Sequence, residues 1–142
     1  MSAIHHFKGG KNAFDWQDAV KKEYPEGIAK GAKGKVIIGN QDNAKHFVFR
    51  YFQIEPGGYS AIDDTHEHDH GIYILHGRAL AHLGGKVEEV GPNDVIYIEP
   101  WMPHHLETLG DEPLGFLCII PNKDMLNRLK EIHQKPDAEK DN

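Results

Sequence analysis

Short runs of β-branched and aromatic residues, bounded by Gly, Pro, Asn or Asp, repeat from about residue 35 to residue 120. This spacing is typical of consecutive antiparallel strands and differs from the alternation of strands with helices seen in α/β proteins. The sequence therefore predicts an all-β domain, a sandwich or a barrel. The predicted strands span residues 35–38, 46–54, 60–65, 72–76, 79–83, 86–90, 95–99, 105–109 and 114–120.

Glycine residues predict the tight turns of this domain, because glycine tolerates backbone angles that other residues avoid. Pro56-Gly57-Gly58 predicts a turn before a histidine-rich segment, and Gly84-Gly85 predicts a hairpin turn. Within the β region, Cys118 lies in an apolar run and is interpreted as a small buried hydrophobic residue.

A C-terminal helix is predicted over residues 124–134, because apolar residues recur there at helical spacing and Asp124 can cap the first turn. The residues beyond it are charged and predicted to be disordered. Near the start, residues 13–24 predict a short helix that ends before Pro25, and the Lys- and Gly-rich residues 30–35 predict a mobile flap.

We therefore divide the 142 residues into an N-terminal extension and flap, a β-barrel, and a C-terminal helix with its tail, over residues 1–34, 35–121 and 122–142. With 16 basic against 22 acidic residues the formal charge is −6, which argues against a nucleic-acid partner. No apolar run approaches the length of a membrane span or forms a secretory signal, and one cysteine cannot form an internal disulfide. We expect a cytoplasmic protein with no membrane partner.

Three of the eleven histidines alternate within five residues, as His66, His68 and His70. On an extended strand they would share one face, with successive Cα atoms about 7 Å apart. Imidazoles in this arrangement suit Zn²⁺, Mn²⁺, Fe²⁺, Ni²⁺ or Cu²⁺. The alternative is a solvated histidine-rich loop, because acidic residues flank the cluster: Asp63, Asp64, Glu67 and Asp69.

His104 offers a further ligand from a distant segment, since Pro100-Trp-Met-Pro follows a predicted strand and turns the chain back. Its neighbour His105 would point to the opposite strand face and is interpreted as a surface or packing residue. A second segment that ends in histidine favours the metal interpretation over the loop.

The spacing of both segments resembles the two motifs of the cupin superfamily. The first motif aligns with Gly58, Asp64, His66, His70 and Gly77. Asp64 stands in place of the first His of the motif, and His70 stands in place of its Glu. The second retains its histidine while most other landmarks differ, on Asn93, Glu99, Trp101, His104 and Thr108. The resemblance spans roughly residues 45–120.

The resemblance implies a double-stranded β-helix, or jelly roll, with a short C-terminal helix. It also implies one divalent metal ion, Mn, Fe, Ni or Zn, held by His66, His70 and His104. Asp64 stands where a further histidine is usual and is a possible additional ligand. His68 stays open between a substrate contact, a residue behind the ligands and a ligand that replaces Asp64. Homodimers are the usual pattern for cupins of this size.

Three histidine ligands leave coordination positions for a substrate, so an enzyme is the first interpretation. A narrower resemblance, carried by residues 50–58, 66–70 and 114–118, is to small bacterial cupins that include the methylthioxylulose-phosphate methylsulfurylase of sulfur salvage. It implies an isomerase or lyase acting on a sugar-phosphate-like or carbonyl substrate. The alternatives are an Fe-dependent dioxygenase and a non-catalytic module that binds a metal or small ligand.

Several polar and aromatic residues are candidates for lining a small-molecule pocket. The proposed substrate-binding residues are Arg50, Tyr73, Tyr97 and Trp101, with Arg78 and Glu107 as further candidates. Arg50 or residues 30–35 would contact a phosphate group. The competing interpretation of these aromatic residues is ordinary barrel packing.

Overall fold

A computed structural model describes residues 2–22 and 28–130 of the chain. This part contains eleven strands and one α-helix. They are β1 (Phe7–Gly9), β2 (Asp15–Trp16), β3 (Val20–Lys22), β4 (Lys30–Ile38), β5 (Phe47–Tyr59), β6 (His70–His76), β7 (Arg78–Leu83), β8 (Lys86–Val90), β9 (Val95–Ile98), β10 (His104–Leu109), β11 (Leu114–Pro121) and α1 (Lys123–Leu129).

Nine strands form one curled antiparallel sheet, in which seven follow the order β8-β7-β10-β5-β11-β6-β9. Strand β4 pairs with β5, and β3 pairs with β4. Strands β1 and β2 form a separate two-stranded sheet. The all-β jelly-roll architecture predicted from the sequence is confirmed.

Strand β5 joins the two halves of the sheet. Its first part pairs with β11, its last residue, Tyr59, pairs with Glu107 of β10, and β4 pairs with it from Phe49 to Tyr59. The turn predicted at residues 56–58 is wrong, because the chain continues there as strand. A Cβ atom on Gly58 would lie 2.4 Å from the Lys30 carbonyl oxygen, so glycine permits β4 to approach rather than the chain to reverse.

The hydrophobic core lies inside the curl of the sheet. It consists of Ile54, Ile72, Ile74, Ala79, Ala81, Ile96, Ile98, Leu106, Leu114, Phe116 and Cys118. Alternate residues of β6 from His70 to Ile74 are buried on the core face, as expected for a strand with one face on the core. His76 is buried as well, but the register of β6 against β11 shifts before it, and its ring contacts Tyr51 and Phe14 on the outer face. The prediction that Cys118 is buried is confirmed.

The helix predicted near the N-terminus is wrong. The described residues of 13–24 form β2 and β3, and residues 23 and 24 lie outside the described part. Phe14 and Trp16 pack against Tyr51 on the outer face of β5, so aromatic burial decides the local conformation over helix propensity. Residues 30–35, expected as a flap, belong to strand β4.

The C-terminal helix is confirmed over Lys123–Leu129, but Asp124 does not cap it. Asn122 is the N-cap, and its Oδ1 accepts a hydrogen bond from the Met125 N–H at 2.8 Å. Residues 131–142, which include the end of the predicted helix and the predicted tail, lie outside the described part. Across residues 2–22 and 28–130 no helix is long and apolar enough to cross a membrane.

Candidate metal centre

A bend, rather than an extended strand, brings the alternating histidines together. Residues 66–69 lie between strands, and β6 begins only at His70. The ring centroids of His66 and His68 are 4.9 Å apart, and those of His68 and His70 are 4.7 Å apart. The predicted extended arrangement is therefore wrong, because the chain must turn here to enter β6. The Trp101 N–H holds the bend by donating to the His66 carbonyl at 2.7 Å.

His104 reaches the cluster through a short bridge between distant segments. Asp64 and His104 exchange both backbone hydrogen bonds, each 3.0 Å long. Residues directly opposite each other in an antiparallel pair share a face, so both side chains point the same way. The strand predicted over residues 60–65 is not formed; the structure has bends and turns there and a single bridge residue, Asp64.

Three histidines together meet the geometric requirement for one metal ion. One ring nitrogen from each of His66, His70 and His104 lies within 4.8 Å of the other two. The His104 Nδ1–H donates to the Met102 carbonyl at 2.8 Å, which leaves Nε2 available. The His70 Nε2 is buried and has no hydrogen-bond partner in the described residues. A buried orphan acceptor beside two other imidazoles fits a metal ligand.

Burial keeps the cluster in the neutral form that binds metals. It lowers the pKa of His70 to about 2, with further lowering from His104, His68 and His66. Burial likewise lowers the pKa of His66 and of His68. A neutral imidazole retains a lone pair for a cation at ordinary pH.

Comparison with known proteins assigns this chain to a family. Residues 50–120 match the family model described as the Cupin domain. The chain belongs to the cupin family. A 71-residue stretch, half of this cupin, is 44% identical to the 1-methylthio-D-xylulose 5-phosphate methylsulfurylase of Rhodospirillum rubrum and covers 45% of that protein.

Two solved structures extend the comparison over most of the fold. The polyketide cyclase RemF of Streptomyces resistomycificus is 32% identical, with a TM-score of 0.66 over 73% of this cupin and 74% of that chain. A cupin-2 domain protein of Rhodospirillum rubrum is 30% identical, with a TM-score of 0.64 over 80% of this cupin and 81% of that chain. Both overlaps support the cupin fold.

Asp64 and His68 lie on different sides of the cluster in this cupin. The Asp64 Oδ2 is 3.1 Å from the His66 Nε2, and Asp64 lines the cavity into which the histidines face. His68 stacks on His66 and His70, and its Nδ1–H donates to the Asp69 carbonyl at 3.2 Å. Asp64 lines the cavity and His68 does not, and neither belongs to the group of ligand atoms that lie within 4.8 Å of one another.

The cavity beside the histidines has a volume of about 260 Å³. Its walls are mostly apolar and include Phe52, Ile54, Ile72, Leu106 and Phe116. Arg50 also lines it, as the sequence predicted for a substrate-binding residue. A concave apolar cavity with a few polar groups at one end is the usual form of a small-molecule site.

The other predicted substrate-binding residues do not line this cavity. Tyr73 and Tyr97 lie on the outer face, 40% and 64% exposed, and their hydroxyls donate to Asn93 and Asp69. Trp101 contributes its backbone to the histidine bend instead. Side chains of neighbouring residues on a strand point to opposite faces of the sheet. Tyr73 therefore points outward although its neighbour Ile72 lines the cavity.

Arg78 and Glu107 also lie outside the cavity lining. Arg78 pairs with Glu89 at 3.1 Å, and Glu107 lies 3.2 Å from the His82 Nε2. His105 stacks on His82 with ring centroids 3.9 Å apart, which agrees with its interpretation as a packing residue. These residues belong to the outer face of β7 and β10.

Sequence reasoning did not predict that Lys22 and Cys118 line the cavity. The Cys118 Sγ accepts a hydrogen bond from the Arg50 Nη2 at 3.2 Å and lies 3.4 Å from the His70 Nδ1. Alternation along β11 could have placed Cys118 on the inner face with Phe116. No local pattern in the sequence connects Lys22 to the site, because β3 reaches the cavity only through its pairing with β4.

Proposed function

We propose that this cupin binds one divalent metal ion through His66, His70 and His104 and is a small-molecule metalloenzyme. The buried His70 Nε2, which faces two other imidazole ligands without a hydrogen-bond partner in the described residues, carries the proposal. Three protein ligands leave coordination positions open on an octahedral ion. Those positions would face the cavity.

When bound, a divalent ion supplies Lewis-acid chemistry, polarising an oxygen atom of a coordinated substrate. The apolar cavity walls exclude water from that oxygen and so strengthen electrostatic interactions there. Asp64, beside His66, is the additional carboxylate ligand in this proposal. Arg50 holds a polar group of the substrate at the cavity wall.

The proposed reaction is an isomerisation or lyase reaction on a sugar-phosphate-like or carbonyl compound, in sulfur salvage. Similarity to a methylsulfurylase of a phosphorylated sugar supports this class, over half of the present chain. We further propose that the protein works as a cytoplasmic homodimer. The metal is Mn, Fe, Ni or Zn, and its identity separates this reaction from the alternative of an Fe-dependent dioxygenase.

Metal analysis of untagged protein tests the proposal. We expect about one equivalent of metal in the native chain and its loss in a His66→Ala/His104→Ala variant. A His82→Ala/His105→Ala variant is the matched control, because it removes two histidines from the outer face and should retain the metal. Equal metal content in all three proteins would contradict the assigned ligands.

Activity after reconstitution tests the catalytic part. Metal-loaded protein is assayed with phosphorylated ketoses and with oxygen consumption as separate readouts. Turnover of a ketose phosphate without oxygen uptake supports the proposed class. Oxygen uptake with iron alone identifies the dioxygenase alternative, and metal binding without turnover in either assay favours a non-catalytic module.

A further inference from the structure

The cavity beside the histidine cluster has an uneven distribution of charge. Its charged lining residues, within the described part of the chain, are Lys22, Arg50 and Asp64. The carboxylate of Asp64 is next to His66, at the metal-binding end. Lys22 and Arg50 therefore line the remainder of a mostly apolar cavity, whose described lining residues include no acidic residue besides Asp64.

Strand register brings the two cations to the same face of the sheet. Lys22 is opposite Gly34, and Gly34 is opposite Phe52, so these three positions share a face. Arg50 precedes Phe52 by two residues on β5 and lies on that face as well. Gly34, which has no side chain, lies between Lys22 and Phe52 in this register, and Lys22 lines the cavity.

Arg50 is held in place with hydrogen-bonding capacity left over. Its guanidinium lies over the Phe52 ring, 4.8 Å from the centroid, and its Nη2 donates to the Cys118 Sγ. The Nε is buried and has no hydrogen-bond partner in the described residues. An arginine that is fixed by stacking and retains an unused donor is prepared to bind a carboxylate or phosphate oxygen.

The two cations also act on each other. Burial lowers the pKa of Lys22, and the charge of Arg50 lowers it further. Two positive groups that line one cavity favour a negatively charged ligand over a positively charged one. This supports the geometric argument for a negatively charged ligand.

We propose that Lys22 and Arg50 form an anion-binding subsite, so that the substrate carries a carboxylate or phosphate group in addition to its metal-binding oxygen. This inference rests on the proposed function for the metal-binding end of the ligand. It assigns to the N-terminal strand β3 the role of selecting charged substrates. Lys22 lies outside residues 50–120, which match the Cupin domain, whereas Arg50 is the first residue of that region.

Titration calorimetry on the metal-free full chain tests the subsite, with inorganic phosphate and malonate as separate probes. We expect Lys22→Met and Arg50→Met to weaken binding of the preferred anion by about tenfold or more each, since each removes a charge-assisted interaction. Binding of phosphate alone would assign a phosphate group, and binding of malonate alone would assign a carboxylate.

Lys21→Met is the matched control, because Lys21 precedes Lys22 on β3, lies opposite Lys35 and points to the other face of the sheet, and it is not among the residues that line the cavity. It removes the same charge and should leave anion affinity unchanged. Circular dichroism establishes that each variant is folded, and Arg50→Lys provides a second test at position 50 that retains the charge. Equal losses in Lys21→Met and Lys22→Met, or no binding of either anion by the native chain, would overturn the proposal.

Failure of the subsite and failure of the metal proposal give different results. Native protein that binds an anion through Lys22 but takes up no metal supports the subsite and contradicts the proposed function. Lys22→Met protein that retains both its metal and native anion affinity contradicts the subsite alone. The His66→Ala/His104→Ala variant should retain anion binding in the metal-free state.

Discussion

Strand β6 begins and ends with a buried histidine, and the two have opposite surroundings. His70 and His76 are each 7% exposed. The His76 Nδ1–H donates to the Pro113 carbonyl at 2.9 Å, and its Nε2 accepts from the Tyr51 hydroxyl at 2.6 Å. Among the described residues the His70 Nε2 has no such partner, and His70 lines the cavity.

The surroundings of His76 form a closed network on the outer face of the sheet. The Phe14 N–H donates to the Tyr51 oxygen at 3.1 Å, and burial raises the pKa of Tyr51 to about 12. The His76 ring lies beside Phe14, with centroids 4.8 Å apart. A Cβ atom on Gly115 would be 1.9 Å from the His76 Nε2, so glycine provides the space for the ring.

The comparison teaches that burial does not by itself identify a functional histidine. Whether both ring nitrogens have hydrogen-bond partners is more informative than burial, since a buried polar atom without a partner is costly in a folded protein. His76 completes a structural network, whereas His70 leaves one nitrogen for a ligand. The predictions below test this distinction, beginning with the largest expected effect.

His70→Ala is expected to weaken metal binding by more than 100-fold, because it removes a direct ligand, and even residues behind the ligands account for about 10–100-fold. His76→Ala should change metal affinity by less than about threefold, since His76 lies on the other face. Competition titration with a chelating dye measures both constants. Similar losses in the two variants would remove the distinction between the two histidines.

His76→Ala is expected to lower the free energy of unfolding of the metal-free protein by about 3 kcal/mol, because it leaves a cavity and removes the acceptor of the Tyr51 hydroxyl. Gly115→Ala should cost about 1–3 kcal/mol through overpacking against the same ring. His70→Ala should cost less than either in metal-free protein. Urea unfolding measures all three, and a larger loss for His70→Ala would contradict the structural role of His76.

Cys118→Ala is expected to weaken metal binding by about tenfold, because the sulfur contacts His70 from behind and a partner of this kind orients a ligand ring. Cys118→Ser, which retains a hydrogen-bonding group, should restore most of the affinity. The same titration decides, with thermal unfolding as the control for core packing. Unchanged affinity in both variants would show that His70 is oriented by packing alone.

The stability of the metal-free protein should fall as pH drops below about 6.5, the ordinary histidine value. Burial lowers the pKa of His76, so below this pH the unfolded chain binds the proton more readily than the folded one. The contribution is complete above pH 6.5 and is lost toward lower pH. Unfolding at pH 7.5, 6 and 5 should show a smaller loss for His76→Gln than for the native chain, whereas equal losses would contradict the assignment.

Tyr73→Phe and Tyr97→Phe are expected to have the smallest effects, below about 0.5 kcal/mol in stability, because both hydroxyls are on the exposed outer face. Neither should alter metal affinity or anion binding. Calorimetry with phosphate and metal titration provide the measurements. A tenfold loss of anion affinity in either variant would restore that tyrosine as a substrate contact.

Much of the fold was predictable, because strand formation is signalled within short stretches of sequence. Strand β8 was predicted with its observed bounds, and β7 and β11 within one residue at each end. The failures occur where distant packing decides local structure. The glycines at 57 and 58 signal a turn by themselves, but the approach of β4 makes them part of β5.

The candidate site was predictable in its chemistry more than in its geometry. Three of the histidines predicted as ligands, His66, His70 and His104, come together as one group. It could not be predicted that Asp64 lines the cavity and His68 does not. This placement depends on a bend that is held by the Trp101 backbone, 35 residues after His66 in the chain.

The sequence by itself determined the strand pattern, the histidine-rich chemistry and the cupin spacing, because each depends on residue types a few positions apart. Only the tertiary structure decided which face each side chain occupies. It paired Asp64 with His104, placed Tyr73 and Tyr97 outside, and brought Lys22 across Gly34 into the cavity. The physical reason is that hydrogen-bond register between distant strands sets these neighbours, and a shift of one residue would reverse every face.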